Sequence, residues 1–359
     1  MSRSTAIQHI LPHYFIKPAD VQISTLGEGI INDTFLAKSP EKCLVLQKIN
    51  SQVFPDPELL IRNLQVVSKH LQAQVKQRKQ RWEDVLLIPT VDGNGFVRDE
   101  ETNLWRALSY IDNSVSVTKV QTTLQATQTG WALGRFHTKL ATLPVQNLAN
   151  PLPGFHVLSS YLENYDQLNK PVSSSKKVQL CTAITDKYRV AALSLERAAN
   201  SGEIDKAIIH GDPKIGNILF DRKTGRAVSI IDLDTIGPGY FQHDIGDCLR
   251  SICNRSGEEN SDDSVTFDME LCRATLEGYF QEAKRLFTAT DLEFIYDGIL
   301  AITFELGLRF FTDYLQGNIY FKCNDPEANL QKALIQFTLF LNVSKKESQI
   351  RSLIAKSSM

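Results

Sequence analysis

Asp212 stands five residues ahead of Asn217 in Ile208-Ile-His-Gly-Asp-Pro-Lys-Ile-Gly-Asn-Ile-Leu-Phe220, and a second carboxylate, Asp232, closes Val228-Ser-Ile-Ile-Asp232. Apolar runs at 218–220 and 228–231 flank the turn-rich Asp221-Arg-Lys-Thr-Gly225, a pattern that predicts a β-hairpin. The midpoint between Asn217 and Asp232 falls between Thr224 and Gly225, so the turn should fold Asn217 back beside Asp232 at the ~5 Å of cross-strand partners. An amide oxygen and a carboxylate are hard donors, suited to a Mg²⁺ that keeps water and substrate phosphates as its other ligands. Asp-x-x-x-x-Asn is also the spacing of a phosphotransfer loop, in which the aspartate takes a hydroxyl proton and the asparagine holds metal. Lys214 is placed to neutralise charge on a transferred phosphoryl group, and His210 sits two residues ahead of Asp212.

Single carboxylates are usually solvated turn residues. Four polar groups converging at the rim of apolar strands would instead bury charge that only a cation or a substrate compensates. Taking His210 and Asp212 as transition-metal ligands fits less well, because His9, His13, His70, His137, His156 and His243 form no ligand-spaced cluster.

The elements around this segment divide the chain in two. Strands are expected at 21–26, 34–37, 43–49, 85–88, 95–97 and 104–111, punctuated by Gly27-Glu-Gly29, Asp92-Gly93 and Asn94-Gly95. Among them, Leu60, Leu64, Val67, Leu71 and Val75 recur at helical steps over 56–78, with Asp56-Pro57 as N-cap and first-turn proline. After Ile111 the texture is helical, at 120–141, 176–200, 267–286, 289–315 and 327–343, interrupted by the strands of 207–233. The polar stretch 256–263 reads as a loop. A small sheet domain followed by a larger helical one makes an α+β chain of two lobes with a cleft between them.

At 359 residues the chain has room for about two domains of the usual ~150 residues. Apolar residues at 42% and charged residues at 22% exclude disordered and fibrous classes. The 39 basic and 41 acidic side chains leave a net charge of −2, no footprint for nucleic acid or an anionic membrane. Any phosphate handled here must therefore meet a local site. Six cysteines (Cys43, Cys181, Cys248, Cys253, Cys272, Cys323) with no Cys-x-x-Cys pair read as buried thiols in a reducing compartment rather than a disulfide or zinc framework. The N-terminus lacks a signal-peptide apolar core, and the apolar run 299–304 is cut by Glu305 and Arg309, short of the ~18–20 residues of a membrane span. A soluble cytoplasmic protein, monomeric or dimeric, is expected.

These residues resemble the aminoglycoside phosphotransferase and choline kinase family, a branch of the protein-kinase-like fold, over nearly the whole chain. The resemblance implies a nucleotide-binding N-terminal lobe at 1–108, a hinge at 109–113 and a helical C-terminal lobe at 114–359 carrying the catalytic loop and substrate pocket. It implies ATP and Mg²⁺ as cofactors, Asp212 as catalytic base, Asn217 and Asp232 as metal ligands, and His210 as a residue that orients the loop. The segment 108–111 would meet adenine through its backbone, with Leu108 and Tyr110 as contacts. Gly27, Gly29 and Thr34 would lie against the phosphates, although Asn32 stands where a third glycine would fall. The strand expected to carry a phosphate-binding lysine ends Leu46-Gln47-Lys48. Side chains alternate faces along a strand, so Gln47 and Lys48 cannot both enter the cleft. Lys48 has the charge, Gln47 the register of Val45, and Glu58 is the candidate acidic partner on the helix.

Gly27-Glu-Gly-Ile-Ile-Asn-Asp-Thr-Phe35, Leu46-Gln-Lys-Ile-Asn-Ser-Gln-Val-Phe54 and Leu308-Arg-Phe-Phe-Thr-Asp-Tyr-Leu-Gln-Gly-Asn-Ile-Tyr-Phe321 are similar to the N-acetylhexosamine 1-kinase subfamily, as is Ile231-Asp-Leu-Asp-Thr235. This implies a small-molecule sugar kinase acting on the anomeric hydroxyl of N-acetylglucosamine or N-acetylgalactosamine. Glu305, Arg309 and Asp313, at four-residue steps, share one helix face. They form either a surface ion-pair ladder or a stripe aimed at the cleft; the resemblance favours Arg309 donating to sugar oxygens, oriented by Asp313. Tyr320 would wall the acceptor beside Asp212. Asp244 is expected to accept backbone hydrogen bonds beneath the loop, Asp247 and Arg250 to brace it, and Gly134 to permit close helix approach. The rival readings are a same-fold kinase for an aminoglycoside, homoserine, choline or methylthioribose, and a non-catalytic nucleotide-binding regulator.

Overall fold

The computed structural model describes residues 3–27, 31–74, 80–168, 175–257, 265–321, 323 and 325–359. In chain order it runs through helix α1 (Arg3–Ile10), strands β1 (Gln22–Thr25), β2 (Asp33–Lys38) and β3 (Cys43–Lys48), helix α2 (Pro57–Gln72), and strands β4 (Leu87–Ile88), β5 (Val97–Arg98), β6 (Leu104–Ser109) and β7 (Ser114–Val115). Then come α3 (Thr123–Leu140), α4 (Leu158–Asp166), α5 (Lys176–Ala192), α6 (Ser194–Asn200), strands β8 (Ala207–Ile209), β9 (Ile218–Asp221), β10 (Ala227–Ile230) and β11 (Gly237–Gly239), and helices α7 (Phe241–Cys253), α8 (Met269–Ala283), α9 (Ala289–Glu293), α10 (Ile295–Leu315), α11 (Ala328–Ser344) and α12 (Glu347–Ser358). The result is α+β: an antiparallel sheet toward the N-terminus, then helices.

The sheet is ordered β1-β2-β3-β6-β4, with β5 also pairing onto β6. Its alternation decides what each face does. Phe35, Leu44, Leu46, Trp105 and Ala107 pack beneath Ile7, Ile10 and Leu11 at the N-terminus. Leu87, Leu104 and Leu108 point the other way, into the core shared with α2 and the helical part. α2 starts where expected: the Asp56 side chain accepts from the Leu59 N–H at 3.0 Å and Pro57 occupies the first turn. The helices expected at 176–200 and 289–315 are each divided, at Leu193 and Phe294. The spacing predicts no helix over α1, α4, α7 or α12; α1 and α4 are short and α12 is largely polar.

α3 packs on α8, and α10 is flanked by α7 and α11. A Cβ at Gly134 would lie 2.4 Å from the Tyr279 carbonyl oxygen, so this glycine does permit the close approach expected of it. The crossing that matters most for the site is α7 on α10. A Cβ at Gly246 would stand 2.5 Å from the Gly298 carbonyl oxygen, and one at Gly298 2.3 Å from that of Gln242. Backbone touches backbone there, which fixes the carboxylates of α7 against the charged stripe of α10. Among the described residues no helix is long and apolar enough to cross a membrane.

Gly to Ala inside a helix normally stabilises by up to ~1 kcal/mol through propensity. Gly298→Ala should do the reverse, destabilising by about 1–3 kcal/mol because a carbonyl must be displaced. Thermal unfolding monitored by circular dichroism should show a midpoint several degrees lower; an unchanged or raised midpoint contradicts the backbone contact.

Candidate active site

The hairpin forms with one change of register. β9 and β10 pair Ile218 with Ile230 and Leu219 with Ser229, and a bulge between Ala227 and Ser229 moves the pairing by one residue. The Ile231 N–H therefore donates to the Asn217 carbonyl at 2.8 Å. Asp232 follows that pair instead of lying directly opposite Asn217, which corrects the midpoint arithmetic. At Asp232 the backbone enters the left-handed region, φ 66°, and runs into the single turn Leu233–Thr235.

Asp212 Oδ2 accepts from Lys214 Nζ at 2.7 Å and from Asn217 Nδ2 at 3.3 Å. The same Nδ2 also reaches the Asp212 carbonyl at 2.7 Å. Asn217 is thus held by its amide nitrogen, which leaves its Oδ1 for another partner. His210 is wholly buried: its Nδ1 accepts from the Asp212 N–H at 3.2 Å and its Nε2 faces the Ile231 carbonyl at 2.9 Å. That pattern assigns the neutral Nε2–H tautomer, and burial holds the ring below its ordinary pKa despite nearby carboxylates. The ring fastens the loop to the hairpin; it has no free nitrogen for proton transfer. Asp244 takes the place expected of it, accepting from the His210 N–H at 2.7 Å, the Gly211 N–H at 2.8 Å and His137 Nε2 at 2.8 Å.

Asp232 differs from its neighbours. Its surface is open to solvent, yet protein surrounds the carboxyl closely; that crowding, then the carboxylates of Asp234 and Asp212, push its pKa up to about 7. Asp234 is buried and fully engaged, by Arg106 and by Asn32 Nδ2 at 2.6 Å.

Arg106 also settles the choice between Gln47 and Lys48. Its Nε and Nη2 donate to Gln47 Oε1 at 3.0 and 2.6 Å, and Gln47 Nε2 donates to Thr34 Oγ1 at 3.2 Å. Thr34, Gln47 and Arg106 are cross-strand partners on β2, β3 and β6, facing the Asp232–Asp234 segment. Lys48 falls on the opposite face, between Asp33 and Trp105, so its assignment to the phosphates is withdrawn. Glu58 pairs with Arg98 at 2.7 Å on the surface and is no partner to the strand. Leu108 lies inside the ladder between Val45 and Leu87 with its side chain in the core. Its backbone is engaged in the sheet, so the base contact assigned to it does not fit; Tyr110 follows the end of β6. Gly27 adopts a left-handed φ of 72° in open space, and Gly29 lies outside the described residues.

On α10, Glu305 and Arg309 approach at 3.8 Å. The guanidinium is ringed by Phe155, Tyr161, Tyr320 and Phe321, with centroids 5.3, 5.3, 6.0 and 5.5 Å away. It lies close enough to Asp212 to feel its charge. Asp313 does not orient Arg309. Its carboxylate accepts from the N–H groups of Tyr320 and Phe321 at 2.7 and 2.9 Å and from Asn329 at 2.9 Å, which shapes the loop presenting Tyr320. Steps of four overshoot a helical turn by ~40° each, and over eight residues the stripe rotates out of line. Sequence reasoning missed Arg106 and His156. An arginine inside the apolar run 104–111 was the available signal for the first; a lone histidine gave none for the second.

Arg106 and Asp234 expose 1% and 4% of their side chains. Arg106→Met would leave the Asp234 charge buried and unpaired, so urea denaturation should show a loss of about 3–5 kcal/mol. A loss below 1 kcal/mol would contradict a structural buried pair.

A family model described as the phosphotransferase enzyme family matches residues 22–283. Among solved structures, the chain is similar to a microcompartment-associated aminopropanol kinase at a TM-score of 0.66 and 16% identity, covering 97% of this chain and 98% of that one. A choline kinase from Cryptosporidium parvum matches at a TM-score of 0.62 and 14% identity, covering 97% of each chain. A spectinomycin phosphotransferase in complex with ADP and spectinomycin matches at 0.58 and 14%, covering 97% and 99%. At these identities the structures establish the protein-kinase-like fold of such enzymes, and the family match covers most of the sequence: this chain belongs to the phosphotransferase enzyme family.

Proposed function

We propose that the chain is a kinase that transfers the γ-phosphoryl group of ATP, with Mg²⁺, to a small hydroxylated acceptor, the anomeric hydroxyl of an N-acetylhexosamine fitting best. One observation carries this reading. Asp212 is tethered through Oδ2 to Lys214 and Asn217, while no described residue hydrogen-bonds its Oδ1, and the side chain is 31% exposed. A carboxylate fixed on one oxygen and open on the other is arranged to take a proton from a hydroxyl. As the acceptor oxygen bonds to the γ-phosphorus, Asp212 takes the hydroxyl proton, the bond to the bridging oxygen of ADP breaks, and Lys214 offsets the charge of the transferred group.

The metal site fits the residues present. Asn217 Oδ1 and the Asp232 carboxylate are hard donors, and the crowding that raises Asp232 to about 7 is relieved by a cation. Among the described residues no three His, Cys, Asp or Glu side chains form a cage by themselves, so water and phosphate would complete the shell. Bound there, Mg²⁺ supplies neutralisation of phosphate oxygens. Thr34 and Gln47, in an N-terminal lobe at 1–108, and the segment from Tyr110 onward, in a hinge at 109–113 leading to the catalytic lobe at 114–359, would contact the nucleotide. The ADP held by the spectinomycin phosphotransferase supports ATP as donor.

Arg309 bears on the acceptor. A guanidinium already stacked among four aromatic rings fills the space an organic cation would take and repels one electrostatically. Its donors suit hydroxyl and acyl oxygens, which favours a neutral or anionic acceptor over choline, aminopropanol or an aminoglycoside.

Asp212→Asn should lower kcat for ADP release by about 10²–10⁴-fold, with ATP affinity by titration calorimetry within threefold of the parent. Retention of most activity refutes the base assignment, and no ADP release by the parent with any acceptor returns the chain to a nucleotide-binding regulator. Arg309→Gln should raise KM for N-acetylglucosamine at least tenfold while KM for ATP holds, and a substrate panel should favour N-acetylhexosamines over choline. A preference for choline in the parent contradicts the acceptor assignment.

A further inference from the structure

His156 belongs to none of the motifs above. It sits just ahead of α4 with a left-handed backbone, φ 57°. Its ring lies on Phe155 at 3.9 Å and beside His243 at 5.1 Å, and its side chain is 9% exposed. The two ring nitrogens meet different partners: Nε2 is 2.8 Å from the Gly211 carbonyl oxygen and Nδ1 is 3.1 Å from Glu305 Oε1. Both partners are acceptors, so both nitrogens carry protons and the ring is an imidazolium. Burial opposes that charge, but Glu305, the Gly211 carbonyl and Asp247 together hold His156 above its ordinary pKa. Burial and the adjacent His156 push His243 down to about 3, so the two neighbouring rings are shifted in opposite directions.

The Gly211 carbonyl belongs to the peptide that leads into Asp212. Asp244 grips the N–H groups of His210 and Gly211 on one edge of the loop, and His156 grips the Gly211 carbonyl on the other. Glu305, 3% exposed, holds the imidazolium from behind and lies 3.8 Å from Arg309 Nη1. From this arrangement we infer that His156 is a positioning residue for Asp212, and that the path Arg309–Glu305–His156–Gly211 couples the acceptor-facing guanidinium to the peptide carrying the base. This deepens the kinase reading and rests on it for the role of Asp212. An error of about 1 Å in a base costs on the order of 10²-fold in rate, which sets the scale expected.

Substitutions at one position separate the two bonds. The amide nitrogen of glutamine can stand near the place of Nε2, that of asparagine near the place of Nδ1, and alanine has neither. His156→Ala and His156→Asn should both lower kcat by about 10–100-fold, with KM for ATP within threefold. His156→Gln, which keeps the donor to Gly211, should recover at least fivefold over alanine. A role confined to packing moves the melting temperature in all three variants and leaves kcat of the folded enzyme alike. Amide hydrogen exchange of the 209–214 segment gives a readout independent of activity: faster exchange is expected in His156→Ala and His156→Asn, near-parent exchange in His156→Gln. If the parent enzyme phosphorylates nothing, the kinase reading fails while the exchange pattern still decides the tether. If kcat and exchange are indistinguishable among the three variants, or unchanged from the parent, the inference is overturned.

Discussion

Like charges crowded into a small volume are the constraint on which the rest of this structure depends. Asp212, Asp232, Asp234, Asp244 and Asp247 come from two consecutive stretches of chain, and all but one carry a compensating partner. Lys214 serves Asp212, Arg106 and Asn32 serve Asp234, His137 and two backbone N–H groups serve Asp244, and Arg250 serves Asp247. Asp232 has no hydrogen-bond or ion-pair partner among the described residues, and its pKa of about 7 records the cost. The other four are answered by protein; Asp232 is the carboxylate that the described residues leave open.

The same compensation joins the two parts of the chain. Arg106 comes from the sheet and Asp234 from the segment after the hairpin, and their pairing ties Gln47 and Thr34 to that segment. Asn32 adds a second tie to Asp234 and also accepts from the Asn50 N–H at 2.9 Å. From the helical side, the backbone contact of α7 on α10 sets Asp244 beneath the loop and Glu305 behind His156. The peptide carrying Asp212 is therefore tied to the hairpin and to the helical side, rather than held by its own loop alone.

Much of this was legible in the residues. The hairpin, the sheet strands, the N-cap of α2 and the bracing role of Asp244 followed from apolar period, turn chemistry and spacing. Three features were not. A bulge at Ala227–Ser229 shifted the register by one residue, and bulges leave little trace in composition. The choice between Gln47 and Lys48 turned on which face of β3 is covered by the N-terminal segment, a weak helix that periodicity did not reveal. The stripe on α10 divided because its members rotate out of line: Glu305 and Arg309 stay beside each other at 3.8 Å, while Asp313 turns to the loop at 320–321.

The central claim is geometric: the amide oxygen of Asn217 and the carboxylate of Asp232 share one divalent ion within reach of Asp212. A crystal grown with Mn²⁺ and a non-hydrolysable ATP analogue tests it directly through anomalous scattering. The account predicts a manganese peak bonded to Asn217 Oδ1, to Asp232 and to the nucleotide phosphates. A peak placed on other residues, or a bound nucleotide whose phosphates lie away from Asp212 with no ion on this pair, would contradict it.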